Sequence, residues 1–272
     1  MTMKLNGTLF NIPIINNVLY YDTITSTNDR AKELGRRGSV HGSLIVAKTQ
    51  TAGRGRLGRS FDSDTDDGLY FSLMLRPEVM PNHLPSITLM TALAVSKAIE
   101  DSCQLHPSIK WPNDIYYNNK KISGILTEAG TDYVVVGIGV NVNTKHFHED
   151  IAYTASSLSL ETGVTYIKED LLSNILWSFN NLYQEFLSNS DIGFMVNEYN
   201  NRLVSLNREV YIIPQHYTLN NNNPGMIDTT GLTPVLCLGI DNNGNLAYKD
   251  HCGNIDYVNS GEVSLRNATS SD

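Results

Sequence analysis

A short glycine-rich loop holds three arginines within six residues: Arg54, Arg56 and Arg59. Guanidinium groups bind carboxylates and phosphates in bidentate fashion. Glycines leave the loop free to move and let its backbone N–H groups face an anion. The loop therefore predicts an anion site. Two other interpretations stay open from these residues alone: a small nucleic-acid patch, or a solvated loop whose arginines pair with the nearby aspartates, which are Asp62, Asp64, Asp66 and Asp67.

The same loop also matches the dinucleotide pattern GxGxxG at residues 53–58. A nicotinamide site of this kind needs a strand before the glycines and a helix directly after them. A strand is predicted before the loop, but the residues from Ser60 to Gly68 have turn chemistry and a second strand follows. We therefore reject a nicotinamide-binding site.

A second group of polar residues surrounds a rigid turn, Lys110-Trp111-Pro112-Asn113-Asp114. The residue before a proline is held extended, and Asn-Asp opens a turn. Lys110 is thus either a fixed cation in a pocket or an ordinary surface lysine beside a packing tryptophan. Lys121 follows on the far side of a predicted hairpin, so both lysines could face one cavity.

Two glycines in a buried strand, Gly137 and Gly139, indicate close approach of a ligand or of another backbone. Asn141 ends that strand and offers an amide. The histidines give a weaker signal. His146 and His148 lie near acidic residues without a third spaced ligand, so we predict a solvent loop and no metal site.

The elements that must position these residues alternate between strands and helices, as in an α+β fold. Ser26 is expected to cap a short helix. Strands are predicted at 43–49, 69–75 and 133–140, the last of them central because both of its faces are apolar. A hairpin is predicted at 115–127, and helices from Pro85 onward and at 172–186 and 192–203.

After Leu206 the pattern changes to short β runs separated by turn signals, including Asn243-Gly244. This predicts a small β-barrel. We therefore divide the chain into residues 1–205 and 206–272. The polar tract Gln215–Thr230 is expected to be a loop without an assigned role.

The composition narrows the class of protein. The chain has 272 residues, 41% of them hydrophobic, and a net charge of -8. Such an acidic chain argues against a general binder of nucleic acid or anionic membranes. Its three cysteines form no CxxC, no apolar run spans a bilayer, and the N-terminus is a poor signal peptide. A cytoplasmic protein is expected.

Five motifs, in order, resemble those of the biotin protein ligases. They are Ser26-Thr27-Asn28, the run from Gln50 to Arg59 (QTAGRGRLGR), Lys110 to Asp114 (KWPND), Lys121 to Leu126 (KISGIL) and Gly137 to Asn141 (GIGVN). Gly239-Ile240-Asp241 and the run from Gly261 to Arg266 look like the small C-terminal module of that family.

The resemblance implies a mixed-sheet catalytic domain with flanking helices, similar to class II synthetases, and a small SH3-like barrel. It also implies two half-reactions. Biotin attacks the α-phosphate of MgATP to give biotinyl-5′-AMP, and a lysine of a biotin carboxyl carrier protein then takes the biotinyl group. Biotin and the carrier lysine are the nucleophiles, so no nucleophile of the enzyme is required.

The resemblance also implies roles for individual residues, with Lys110 and Arg56 as the catalytic cations. Phe61, often tryptophan in relatives, would stack on adenine. The residues expected at biotin are Ser26, Thr27, Asn28, Gln50, Gly53, Arg54, Gly55, Arg56, Lys110 and Gly124. Those expected at ATP are Arg56, Arg59, Phe61, Asn113, Lys121 and Asn141.

About twenty residues precede the Ser26 motif, so we expect no DNA-binding domain and no DNA partner, as in the monofunctional ligases. No membrane partner is expected, and a homodimer is implied only by analogy. Two alternatives remain: a lipoate or octanoate ligase, which shares the fold and a catalytic lysine, and a non-catalytic protein that binds biotinyl-AMP.

Overall fold

The computed structural model describes residues 3–5, 8–77, 84–189, 191–214, 231–259 and 263–267. The tract Gln215–Thr230, predicted to be a loop, lies outside the described residues, as do Gly261 and Glu262 of the C-terminal motif. In the described ranges, no helix combines the length and the apolar character that crossing a bilayer requires.

Strands and helices are intermixed up to Arg202, and the described elements after it are strands. The α-helices are α1 (Thr27–Arg36), α2 (Leu84–Cys103), α3 (Leu158–Thr162), α4 (Lys168–Asn189) and α5 (Gly193–Arg202). The strands are β1 (Met3–Leu5), β2 (Thr8–Phe10), β3 (Asn17–Ile24), β4 (Ser43–Gln50), β5 (Leu69–Leu75), β6 (Ser108–Lys110), β7 (Asp114–Tyr117), β8 (Lys120–Ala129), β9 (Val134–Val140), β10 (Glu209–Pro214), β11 (Val235–Ile240), β12 (Leu246–Lys249), β13 (Ile255–Val258) and β14 (Val263–Asn267).

A mixed sheet of seven strands forms the centre of the larger unit, in the order β3-β4-β5-β9-β8-β7-β6. β3 and β4 run parallel, and the other neighbours are antiparallel. β9 lies between β5 and β8, so the prediction of a central strand is confirmed. The predicted hairpin is β7–β8, and its turn residues Asn118 and Asn119 have φ of 48° and 62°.

The two faces of this sheet are covered differently. One face packs against α2 and α4 in the main core, where Phe71, Val136 and Phe179 are buried. α2 is apolar on nearly all sides because it lies between the sheet and α4. On the opposite face α1 covers Ile45 and Val135 in a smaller cluster. Side chains alternate along each strand, so the part of this second face that α1 leaves uncovered is available for a site.

Helix α1 starts where the sequence predicts it. The Ser26 Oγ accepts a hydrogen bond from the Asp29 backbone N–H at 3.4 Å, which satisfies one of the free donors of the first turn. The helix ends at Arg36, and Gly38 follows with φ of 77°. The cap therefore fixes the residues of the Ser26 motif at the start of a helix that packs on the sheet.

The C-terminal strands form a separate antiparallel sheet in the order β13-β12-β11-β10-β14. The β11–β12 turn is closed by Asp241, whose Oδ1 accepts hydrogen bonds from the backbone N–H groups of Asn243 and Asn245, both at 2.9 Å. Gly244 has φ of 82°, as this turn requires. The predicted fold class, an α+β domain with a small β module, is confirmed.

Helix α5 connects this β module to the larger unit. The Asn200 side chain accepts from the Ile240 N–H at 2.8 Å and donates to the Ile240 carbonyl at 3.3 Å. Gly239 has φ of 105°, and a Cβ there would approach the Asn200 Oδ1 to 2.7 Å. The boundary at 205/206 stays a prediction, and it falls between the end of α5 and the start of β10.

The core of α4 gives a first test of the fold. Phe179 is 2% exposed and stacks on Tyr183 with a centroid distance of 5.6 Å. We expect Phe179→Ala to lower the free energy of unfolding by about 3–5 kcal/mol, because it leaves a cavity beneath the sheet. Trp177, on the same helix, is 42% exposed, and Trp177→Ala should cost less than about 1 kcal/mol. Urea denaturation followed by far-UV circular dichroism measures both, and equal losses would contradict this packing.

Candidate functional site

The floor of the site is a strip of sheet without side chains. Gly124 of β8 and Gly139 of β9 lie directly opposite each other, and Gly137 is two residues earlier on β9. A Cβ on Gly137 would come within 1.9 Å of the Asn28 Oδ1, and one on Gly139 within 2.6 Å of the Phe61 ring. The glycines therefore make room for one side chain from α1 and one from the Gly-Arg loop.

Hydrogen bonds between α1 and two strands order the polar end of the site. The Gln50 Oε1 accepts from the backbone N–H and the hydroxyl of Thr27, at 2.8 and 3.1 Å. The Ser72 Oγ donates to the Asn28 Oδ1 at 2.6 Å and lies 2.8 Å from the Thr27 Oγ1. All four side chains are buried. Buried polar groups that satisfy one another form a rigid surface.

The Gly-Arg loop starts directly beside this polar end. The Gln50 Nε2 donates to the Ser63 Oγ at 3.2 Å, and that hydroxyl donates to the Phe61 carbonyl at 3.1 Å. A Cβ on Gly53 would meet the Phe61 carbonyl oxygen at 2.3 Å. Gly53 thus allows the two ends of the loop to touch.

The loop itself is a small hairpin in this structure. The Phe61 N–H donates to the Gly53 carbonyl at 3.0 Å, and the Gly55 N–H donates to the Arg59 carbonyl at 2.7 Å. A single 3₁₀ turn, Arg56–Gly58, forms the tip. We predict no α-helix directly after the glycines, and this is confirmed, because β5 follows the 3₁₀ turn.

Two cations and two polar partners form one end of the cleft. The Arg56 Nη1 donates to the Asn113 Oδ1 at 2.8 Å. The Asn113 Nδ2 donates to the Asp114 Oδ1 at 3.0 Å, and the Lys121 Nζ pairs with that same oxygen at 2.8 Å. Burial lowers the pKa of Arg56, and the Asp114 carboxylate opposes this shift. The guanidinium stays charged, because arginine deprotonates far above neutral pH. The desolvated charge is therefore available to an anion.

Arg54 points to the other side of the loop, toward α1. Its Nη1 contacts the Asp29 Oδ1 at 2.6 Å, and its Nη2 lies 3.5 Å from the Glu128 Oε1. Lys32 pairs with both carboxylates at 2.9 Å. Hydrogen bonds from Lys32 and Arg54 lower the pKa of Asp29 despite the opposing effect of burial. The aspartates at 62, 64, 66 and 67 are thus not the partners of this arginine.

One open cleft joins the polar end and the cationic end. It encloses about 460 Å³ of space, including solvent at its mouth. Its lining includes Ser26, Thr27, Asn28, Gln50, Arg54, Gly55, Arg56, Phe61, Asn113, Lys121, Gly124, Ile125, Leu126, Gly137, Ile138 and Gly139.

Four residues predicted for the site do not line this cleft. Lys110 ends β6, and its Nζ lies 5.2 Å from the centre of the Tyr116 ring. Arg59 is exposed, and Gly53 lies at the base of the loop. Asn141 is buried and donates to the Ser156 carbonyl at 3.0 Å. The functional roles of these four residues, like those of the residues that line the cleft, stay predictions.

His148 lies with Asp62 and Asp64 rather than with its acidic sequence neighbours. Its Nε2 is 3.9 Å from the Asp62 Oδ1 and 4.0 Å from the Asp64 Oδ2. Both His148 and Asp64 are exposed, whereas Asp62 is half-buried. Burial and the charge of Asp64 raise the pKa of Asp62. The prediction that His148 lies in a solvent loop agrees with its exposure.

Sequence reasoning missed several polar residues that shape the site. Ser72 was detectable, because it is a serine within the apolar run Leu69–Leu75. Glu128, Lys32 and Asp29 have no comparable signal, since charged residues at a strand end or on a helix are common.

A family model and several curated proteins match this chain. The model of the Biotin/lipoate A/B protein ligase family matches residues 20–143. The bifunctional ligase/repressor BirA of Bacillus subtilis is 37% identical over 178 residues, which cover 63% of this chain and 55% of that protein. The biotin--[acetyl-CoA-carboxylase] ligase of Mycobacterium tuberculosis is 30% identical over 151 residues, which cover 53% of this chain and 56% of that protein. The chain thus spans little more than half the length of these curated relatives.

The solved structures resemble nearly the whole chain. The biotin protein ligase from Aquifex aeolicus, in complex with biotin and ATP, superposes with a TM-score of 0.80 at 31% identity. The match covers 93% of this chain and 100% of that one. The fold and the cleft define a biotin/lipoate-type ligase domain. Within that class, the chain belongs to the biotin protein ligase family.

The glycine floor gives a test of the site. If this cleft binds biotin, Gly137→Ala should weaken that binding at least tenfold, because the new Cβ would displace the Asn28 Oδ1. Gly193→Ala is the matched control. Its Cβ would come no closer than 3.1 Å to a neighbour, the Asp191 side chain, so binding should change less than twofold. Isothermal titration calorimetry measures both, and tight binding by the Gly137 variant would show that Asn28 does not need this space.

Proposed function

We propose that the chain is an ATP-dependent ligase that activates biotin as biotinyl-5′-AMP and transfers it to a lysine of a biotin carboxyl carrier protein. One observation carries the proposal: a single cleft joins a polar end of complementary donors and acceptors to an end with fixed cations. Membership of the biotin protein ligase family supports it.

The polar end suits the ureido ring of biotin, which has one carbonyl acceptor and two N–H donors. The Asn28 Oδ1 has two lone pairs, and the Ser72 hydrogen bond uses one of them. The Ser26 hydroxyl accepts from the Asp29 N–H and keeps its own proton to donate. This end therefore offers both an acceptor and a donor. A ligand ring that carries both donors and acceptors satisfies these two protein groups better than an apolar or purely acidic ligand group does.

The cationic end suits the meeting of a carboxylate and a triphosphate. The two anions repel each other, and fixed positive charge lowers the cost of bringing them together. Arg56 and Lys121 line the cleft and supply this charge. A carboxylate oxygen of biotin attacks the α-phosphorus of MgATP, a new P–O bond forms, and pyrophosphate leaves with the magnesium ion. We expect Phe61, whose ring centre lies 6.0 Å from the Lys121 Nζ, to stack on adenine.

In the second step, the amine of a carrier lysine attacks the carbonyl carbon of the mixed anhydride. An amide bond forms, the bond to the phosphate breaks, AMP leaves, and the amine loses a proton to solvent. The loop hairpin from Gly53 to Phe61 forms one side of the cleft and would limit hydrolysis of the anhydride by water until the carrier arrives. The cytoplasm and a homodimer stay predictions for the compartment and the assembly.

A transfer assay tests the proposed function. The protein is incubated with MgATP, labelled biotin and an apo biotin carboxyl carrier domain, and label on the carrier is measured. We expect ATP-dependent labelling that disappears when the target lysine of the carrier is replaced. Labelling from lipoate instead would identify a lipoate ligase. Retention of biotinyl-AMP without transfer would identify a binding protein. Either result would overturn the proposal.

Lys110 has a predicted catalytic role but lies outside the cleft lining. If its side chain swings from Tyr116 toward the reacting groups, Lys110→Ala should lower adenylate formation about 100-fold or more. Lys120→Ala, at the start of β8 in the adjacent hairpin, is the control and should keep normal turnover. Pyrophosphate release measures the step. Wild-type turnover in the Lys110 variant would leave the role of catalytic cation to Arg56 and Lys121.

A further inference from the structure

Glu128 is a half-buried residue near the end of β8, and its carboxylate contacts residues on two sides of the cleft. Its Oε2 accepts from the Asn28 Nδ2 at 2.9 Å. Its Oε1 pairs with the Lys32 Nζ at 2.9 Å and lies 3.5 Å from the Arg54 Nη2. Glu128 thus contacts Asn28, which lies on the glycine floor, and Arg54 of the loop.

On the floor side, Glu128 determines which way the Asn28 amide faces. The Asn28 Nδ2 donates to Glu128 and to the Leu126 carbonyl at 3.2 Å. Both groups can only accept, so the amide nitrogen must lie between them. The Asn28 Oδ1 then points to the Ser72 hydroxyl and the Gly137 backbone. With Glu128 removed, one of the two contacts that oppose an amide flip is lost.

On the loop side, Glu128 belongs to a cluster of two anions and two cations. Lys32 bridges Glu128 and Asp29, and Arg54 contacts the same two carboxylates. With Glu128 neutral, Lys32 and Arg54 would compete for Asp29 alone. Two like charges that share one partner repel each other, so Arg54 would leave its position beside α1.

We propose that Glu128 is a positioning residue, which orients Asn28 for biotin and holds Arg54 at the edge of the cleft. It acts through these two side chains and touches no reacting atom. The inference rests on the proposed function, because biotin is the ligand that Asn28 is expected to contact. The hydrogen-bonded chain from Arg56 through Asn113 to Lys121 does not include Glu128, so the ATP side should be unaffected.

The charge-neutral variant Glu128→Gln tests the proposal. Its shape is kept, but its amide group cannot accept on both sides. We expect the Kd for biotin, measured by calorimetry, to rise about tenfold and the KM for ATP to change less than twofold. Glu33→Gln is the matched control. Glu33 also pairs with two arginines of the α1 region, Arg30 and Arg37, but does not line the cleft. The biotin Kd of the Glu33→Gln variant should therefore stay within twofold of the wild-type value.

A mutant cycle separates positioning from a general loss of structure. If Glu128 acts through Asn28 and Arg54, Glu128→Gln should change the biotin Kd less than twofold in an Asn28→Ala/Arg54→Ala background. A full tenfold effect in that background would overturn the proposal, as would equal increases in the biotin Kd and the ATP KM. Urea denaturation shows whether each variant is folded. The biotin Kd of any variant that is unfolded at the assay temperature is measured again at a lower temperature at which that variant folds.

The two proposals fail in different ways. If the wild-type protein binds biotin and labels the carrier, while Glu128→Gln binds biotin equally well, only the positioning role is lost. If the wild-type protein binds no biotin, the proposed function fails, and the role of Glu128 fails with it.

Discussion

The absence of side chains at three positions of the sheet is the constraint on which the site depends. β8 and β9 bury their other face in the main core, so they cannot move away to create space. Gly137 and Gly139 instead let Asn28 and Phe61 lie directly on the backbone of the sheet. A residue of α1 and a residue of the loop are thereby held on one rigid surface, above two glycines that are two residues apart on β9.

The charged side chains of the cleft are the second feature that defines the site. The chain is acidic overall, yet the cleft gathers Arg54, Arg56 and Lys121. Their partners differ. Arg54 and Lys121 each contact a carboxylate, whereas Arg56 contacts the neutral oxygen of Asn113. An amide oxygen orients a guanidinium without neutralising its charge. Arg56 therefore keeps the strongest capacity to attract a phosphate or carboxylate, and its partial burial reduces screening by water.

The sequence predicts the scaffold better than the details of the site. Strands and helices follow from apolar periodicity, and the cap at Ser26 from local chemistry, because these signals lie within a few residues. The motifs also indicate most of the cleft lining. The contact between Asn28 and Glu128, one hundred residues apart, has no local signal. Nor does the position of the Lys110 side chain beside Tyr116, since a motif specifies a residue type and the packing around it selects the rotamer.

The floor and the loop differ in how firmly they are held, and this difference suits a two-step reaction. Asn28 donates a hydrogen bond to the Leu126 carbonyl of β8 and accepts one from the Ser72 hydroxyl of β5, so it can select a ligand with little reorganisation. The loop is closed at its base by the backbone hydrogen bond from the Phe61 N–H to the Gly53 carbonyl, but at its tip Arg56 is held by a hydrogen bond to the side chain of Asn113. A hydrogen bond to a charged group contributes about 1.5–3 kcal/mol, which a bound phosphate can replace. The tip can therefore exchange Asn113 for a ligand while the base keeps its place. In the proposed reaction, the rigid floor would select the ligand and the loop would retain the activated intermediate.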